Sequence, residues 1–121
     1  MTAQITPMHP CAVRSLIDRA ESEKAFQQRL LDLAKACGWL VYHPFDSRKS
    51  GAGFPDLTMC RGEKLIMAEL KRENGRLSHA QAGWINRLRQ TGTPVYIWRP
   101  SDWNTIVDVL MPERQRKGRS A

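Results

Sequence analysis

The chain has 121 residues and a net charge of +7. This length predicts one domain with a real hydrophobic core, and the positive charge favours an anionic partner such as nucleic acid, the alternative being solubility alone. No apolar run approaches the roughly 18 residues of a membrane span, the first residues lack the apolar stretch of a secretory signal, and the three cysteines have no metal-ligand spacing. The composition therefore argues against a membrane-spanning or secreted class and predicts a reduced, cytoplasmic protein.

Apolar periodicity predicts alternating helices and strands over residues 21–111. The first helix has a glycine stop at Gly38, the second starts with a capping box at Ser78, and Ser101 is expected to cap the third. We predict a loose arm over 1–20, in which residues 13–20 could form a short helix, and a basic, disordered tail over 112–121. Between them we predict, in chain order, a helix over 22–37 and strands over 39–45, 56–60 and 64–71. A helix over 78–92, a strand over 95–98 and a helix over 101–111 are expected to follow. This order predicts an α/β sandwich around a small central mixed sheet.

The predicted strand from Leu65 to Lys71 ends in a carboxylate beside an ammonium group. Side chains alternate along a strand, so Glu69 and Lys71 share one face while the other face is apolar. Asp56 opens the preceding strand, and a turn of hairpin length lets the two strands pair antiparallel, which brings Asp56 close to Glu69 and Lys71. Two converging carboxylates bind a hard divalent cation, and a lysine beside them can orient water or stabilise a phosphate oxygen. The alternatives are a plain salt bridge between Glu69 and Lys71 and a turn role for Asp56.

Four features together resemble the VRR-NUC family of the PD-(D/E)xK nuclease superfamily over residues 20–110. They are a helix with Glu23 and Gln27, the loop Gly53-Phe54-Pro55-Asp56, the strand end Glu69-Leu70-Lys71, and Gln81 early in a later helix. The resemblance implies a restriction-endonuclease-like αβββαβ fold, with the nuclease domain over 21–111.

The resemblance also implies an endonuclease that hydrolyses phosphodiester bonds with Mg²⁺ or Mn²⁺. The implied catalytic residues are Glu23, Asp56, Glu69, Lys71 and Gln81, and the implied metal ligands are Asp56, Glu69, Glu23 and the carbonyl of Leu70. Two of these residues have structural alternatives. An acidic residue such as Glu23 is favoured in the first turn of a helix, and Gln81 occupies the third position of the capping box.

Basic and small residues flank the predicted site, and we expect them to contact DNA phosphates. They are Arg48, Lys49, Ser50 and Gly51 in the loop before Asp56, and Arg72 and Arg76 after the Glu69 strand. Charged loop residues are ordinarily just solvated, and it is their position beside the predicted site that favours contact with DNA. His43, near a strand end, could touch DNA, although a structural role is the favoured interpretation.

Stand-alone phage and bacterial members of the family imply a homodimer that resolves branched DNA, with a four-way (Holliday) junction as the expected substrate, in the cytoplasm of a bacterial or phage-infected cell. Trp98, Trp103 or Leu110 could form the two-fold contact, because aromatic residues are enriched in interface cores. The alternatives are a non-catalytic nucleic-acid-binding module with a nuclease fold, and a nuclease acting on flaps or RNA.

Overall fold

The computed structural model describes residues 21–44 and 52–112. Within these ranges the chain forms a four-stranded sheet and three α-helices, which confirms the mixed α/β class. In chain order the elements are α1 (Glu23–Ala36), β1 (Leu40–Tyr42), β2 (Leu57–Arg61), β3 (Lys64–Leu70), α2 (His79–Gln90), β4 (Val95–Trp98), a 3₁₀ helix (Pro100–Asp102) and α3 (Trp103–Leu110). None of the helices in these ranges is long and apolar enough to cross a membrane.

The sheet has the strand order β1-β2-β3-β4. The first three strands are antiparallel neighbours, whereas β4 runs parallel to β3 after the crossover through α2. In the β2–β3 hairpin Leu57 pairs with Ala68 and Arg61 pairs with Lys64. Gly62 supplies the left-handed backbone conformation of the tight turn, with φ of +59°. The start of β2 therefore lies beside the end of β3.

The two faces of the sheet bury separate groups of side chains. Ile66, Ala68 and Leu70 alternate along β3 and join the main core, which includes buried residues of α1 and α3. Met67 belongs to a second cluster on the other face, together with residues of α2 and β4. The alternation of β3 side chains predicted from the sequence is confirmed. Of the helices within residues 21–44 and 52–112, only α2 contributes to the second face.

The start of α3 differs from the prediction. Ser101 does not cap this helix, and its hydroxyl instead donates a hydrogen bond of 2.6 Å to Glu73. Pro100 begins a 3₁₀ helix that leads into α3. The proline ring fixes φ near its helical value and there is no N–H to leave unsatisfied, so the turn starts there. The other two helices begin close to their predicted positions. Ser78 forms the predicted capping box of α2, and Ser22 is the N-cap of α1.

The residues proposed for an intersubunit contact are largely internal. Trp98 and Leu110 are buried in the main core, and the Trp103 ring lies against the guanidinium of Arg29, whose central carbon is 3.9 Å from the ring centroid. Trp98 and Leu110 therefore cannot supply an intersubunit contact, and this part of the prediction is wrong. Their apolar surface is already used to join β4 and α3 to the rest of the protomer.

Candidate active site

Asp56 lies at the start of β2, beside the end of β3. Because Leu57 pairs with Ala68, the residue before Leu57 falls next to Glu69. The Oδ2 atom of Asp56 accepts a hydrogen bond of 2.8 Å from the backbone N–H of Leu70. The hairpin thus brings together the two carboxylates whose approach the sequence predicted.

Glu69 is the only polar or charged side chain that is fully buried within residues 21–44 and 52–112, with 1% of its surface exposed. Its Oε1 atom accepts a hydrogen bond of 3.0 Å from Nε2 of Gln81 and lies 3.8 Å from Nζ of Lys71. Its Oε2 atom is buried and has no hydrogen-bond partner among residues 21–44 and 52–112. A buried carboxylate oxygen without a donor is costly, so its position suits a cation.

Burial raises the pKa of Glu69 to about 8, and the negative charge of Asp56 acts in the same direction. The positive charge of Lys71 opposes this rise in the pKa, and Glu23 adds a smaller repulsion. A divalent cation held by Asp56 and Glu69 would remove the repulsion between them and satisfy the free Oε2 atom. The residues present therefore fit a hard, oxygen-binding cation.

The loop that carries Asp56 is docked on the first turn of α2. Gly53 has a φ of +87°, and a Cβ atom at this position would lie 2.4 Å from the backbone carbon of Ala80. A residue with a side chain would therefore have to move the backbone. Phe54 then packs edge-on against Trp84, one turn further along α2, with ring centroids 5.1 Å apart. The position of α2 accordingly determines where the Asp56 loop lies.

A cavity of about 480 Å³ lies over the two carboxylates. Its walls come from α1, the end of β1, the Asp56 loop, the end of β3 and the start of α2. The lining residues are Glu23, Lys24, Gln27, His43, Pro44, Gly53, Phe54, Asp56, Glu69, Lys71 and Gln81. All five residues predicted as catalytic are among them.

Glu23 stands apart from the close carboxylate pair. It comes from the first turn of α1 and is exposed to solvent. In the described part of the chain, no three His, Cys, Asp or Glu side chains are grouped closely enough to hold a metal ion. Asp56 and Glu69 are thus the pair that the fold brings together, and metal binding by Glu23 and by the carbonyl of Leu70 stays a prediction.

Lys24 and His43 also line the cavity but were not singled out as site residues. Lys24 precedes Gln27 by three residues, so helical spacing alone could have placed both on one wall. His43 was expected to have a structural role, yet it is exposed and faces the cavity. His43 follows the end of β1, where Tyr42 pairs with Thr58 near the start of β2. Only this pairing of strands shows that His43 lies near Asp56.

The residues predicted to contact DNA fall into two groups. Arg48, Lys49, Ser50 and Gly51 lie outside the described residues, so their contact with DNA stays a prediction. Arg72 and Arg76 are exposed in the segment that follows β3, and neither lines the cavity. Contact between these two side chains and DNA phosphates stays a prediction.

Comparison with known proteins gives two matches. The VRR-NUC domain model matches residues 10–102 of the chain. A solved structure described as a VRR_NUC domain matches with a TM-score of 0.55 and 25% sequence identity, over 62% of this chain and 81% of that structure. No curated protein matches the chain. Both matches name the family that residues 20–110 resemble.

Proposed function

This chain belongs to the VRR-NUC domain family, which makes it a nuclease domain with DNA as the implied substrate, and we propose that it is a Mg²⁺- or Mn²⁺-dependent endonuclease. The observation that carries the proposal is the pairing of Asp56 with buried Glu69, one of whose oxygens has no hydrogen-bond partner in the described part of the chain. A salt bridge between Glu69 and Lys71 alone would leave that oxygen unexplained, because Lys71 approaches the other one.

Four residues of the cavity and the carbonyl of Leu70 have roles in this proposal. Asp56 and Glu69 would hold the cation, with Glu23 and the carbonyl of Leu70 as further ligands. When bound, the cation polarises the scissile phosphate and makes water a stronger nucleophile. Lys71 lies partly buried beside Glu69, so its ammonium group can orient the attacking water or stabilise the charge that grows on the phosphate oxygens.

We infer a four-way junction as the substrate and a homodimer as the active form. Each protomer brings one such cavity, whereas resolution of a junction requires two symmetric cuts. A two-fold dimer supplies two equivalent sites at a fixed distance. The net charge of +7 favours contact with the closely spaced phosphates of branched DNA.

The sheet offers a surface for the second copy. Antiparallel pairing aligns Leu40, Cys60 and Leu65 across three strands, and Tyr42 lies on the same face. We call these four residues the open sheet face. Leu40 is 73% exposed and Leu65 is 49% exposed, because α2 packs on this face only near Met67 and β4. The open sheet face carries no charged side chain, so two copies of a chain of net charge +7 can meet there without opposing like charges.

The test is a cleavage assay with Mg²⁺ or Mn²⁺ on linear, flap and four-way DNA, with RNA of the same sequence as a comparison. We expect paired, symmetry-related nicks in the four-way junction and no cleavage in EDTA. Glu69→Gln, Asp56→Asn and Lys71→Ala should each lower kcat/KM by about 10³-fold or more, since each removes a group that acts on the transition state.

Glu63→Gln is the matched control for Glu69→Gln. It makes the same chemical change at an exposed position in the β2–β3 turn, at the other end of the hairpin, and should leave cleavage unchanged. Full activity in EDTA, or in Glu69→Gln, would contradict the metal mechanism. Tight binding of DNA without cleavage of any substrate would instead favour a non-catalytic binding module.

A further inference from the structure

Gln81 makes two hydrogen bonds within the first turn of α2 and a third that ties this turn to Glu69. Its Oε1 atom accepts a bond of 2.9 Å from the backbone N–H of Ser78, and its own backbone N–H donates to Oγ of Ser78 at 3.1 Å. These two are the reciprocal bonds of a capping box. The third bond, from Nε2 to Oε1 of Glu69 at 3.0 Å, plays no part in the cap and crosses to β3.

We propose that Gln81 is a positioning residue for the cation site rather than a catalytic one. Its amide holds Glu69 so that Oε2 is left free for the cation, and Ser78 fixes the orientation of that amide. This inference rests on the proposed function, because it takes Asp56 and Glu69 as the residues that hold a divalent cation.

The orientation of the amide follows from its two neighbours. The backbone N–H of Ser78 is a donor and requires the amide oxygen, whereas the carboxylate of Glu69 accepts and requires the amide nitrogen. A flipped amide would set oxygen against oxygen and N–H against N–H, and it would lose both bonds. Gln81 therefore cannot turn its oxygen toward a water or a phosphate without releasing Glu69.

The bond from Gln81 also decides which oxygen of Glu69 is available. It occupies Oε1, whereas Oε2 is buried and receives no hydrogen bond from any residue that the structure describes. The terminal torsion of a glutamate is broad, so an unrestrained carboxylate would present either oxygen over a range of angles. A residue that hydrogen-bonds to a metal ligand restricts the rotation of that ligand. Loss of such a hydrogen bond typically weakens metal binding by about 10- to 100-fold.

The experiment is a calorimetric titration of the metal-free protein with Mn²⁺ alone. Gln81→Met keeps the length of the side chain but removes the donor to Glu69 and the acceptor for Ser78. Ser78→Ala is the matched control, because it removes the Oγ cap but keeps the backbone N–H of residue 78 and the Gln81 amide. Both variants should lower Tm, since both weaken the cap of α2. Gln81→Met should weaken Mn²⁺ binding by about tenfold or more, and Ser78→Ala by less than about twofold.

Cleavage supplies a second readout. If Gln81 acts through Glu69, the activity of Gln81→Met should recover as the Mn²⁺ concentration is raised. Unchanged Mn²⁺ affinity in Gln81→Met would overturn the inference whether or not cleavage fell, and so would an equal loss of affinity in Ser78→Ala. Should Gln81→Met fail to fold, Gln81→Asn decides the question, because its amide is one methylene too short to span Ser78 and Glu69. A wild-type protein that binds no Mn²⁺ would overturn the proposed function, and the inference with it.

Discussion

Glu69 is buried at the end of β3, where the first turn of α2 reaches it through Gln81. The desolvated carboxyl group faces the charge of Asp56, and its pKa rises to about 8. Near neutral pH and without a cation, this carboxyl group holds its proton. A cation that binds there must displace the proton, so the affinity for divalent metal should increase as the pH rises.

The stability of the metal-free protein should fall as the pH rises from about 4.5 to about 8. The pKa of Glu69 in the folded protein lies near 8, above its ordinary value of 4.5, so the folded state binds this proton more tightly than the unfolded chain does. The stabilisation is therefore complete at low pH and is lost as the pH approaches 8. Urea unfolding near both ends of this range measures the change, with Glu69→Gln as a control that cannot titrate. A parallel fall in both proteins would show that Glu69 is not responsible.

The first turn of α2 contacts both halves of the candidate site. It receives the Asp56 loop through the close approach of Gly53 to Ala80, and it holds Glu69 through the amide of Gln81. The same helix covers Met67 on the sheet. Because one rigid element makes these contacts, the relative position of the two carboxylates depends on how α2 packs.

Gly53→Ala should be more damaging than Gly92→Ala, although the two glycines have nearly the same φ, +87° and +85°. Alanine costs roughly 1–2 kcal/mol in this left-handed conformation at either position. At Gly92 the new Cβ meets nothing within 4 Å, whereas at Gly53 it meets the backbone of Ala80 at 2.4 Å. We expect Gly92→Ala to lose stability but keep its Mn²⁺ affinity, and Gly53→Ala to lose both, as measured by unfolding and calorimetry. Equal effects in the two variants would mean that the docking of the loop on α2 does not set the site.

The chain has a net charge of +7, and no helix of the described residues packs over Leu40, Tyr42 and Leu65 of the open sheet face. The candidate site lies at the end of the sheet where Asp56 begins β2, and the open sheet face reaches the same end through Tyr42 of β1. A two-fold contact through the open sheet face would therefore bring the two candidate sites near one shared surface of the dimer.

Light scattering at micromolar concentration should give about twice the 13.8 kDa mass of one chain. Leu40→Lys should reduce this to the mass of a monomer, because it places like charges opposite each other in an apolar contact. Asn104→Lys adds the same charge at an exposed site on α3, which packs on the other face, and should leave the dimer intact. A monomeric mass for the wild-type protein, or a dimeric mass for Leu40→Lys, would contradict this interface. Neither result would affect the proposal for the metal site.

The helices and strands of the fold, and the pairing of Asp56 with Glu69 in the candidate site, were predictable from the sequence. Alternation along β3, the hairpin turn before it and the capping box at Ser78 are short-range effects, set by backbone geometry and by hydrogen bonds between near neighbours. They were enough to bring Asp56 and Glu69 together, because a hairpin converts a known loop length into a known register. The family could be recognised for the same reason, since its motif lies on these elements.

Only the tertiary structure decided how these parts meet. The hydrogen bond from Gln81 to Glu69 and the approach of Gly53 to Ala80 join segments that are far apart in the sequence. The burial of Glu69 and its raised pKa also depend on such contacts. No periodicity in the sequence encodes a contact between two separate elements. Packing likewise placed Trp98 in the core and left Leu40 exposed, although both are apolar residues of strands. The sequence determined which residues are apolar or charged and the local order in which they occur, whereas desolvation and surface exposure depend on all the neighbours that the completed fold brings to each side chain.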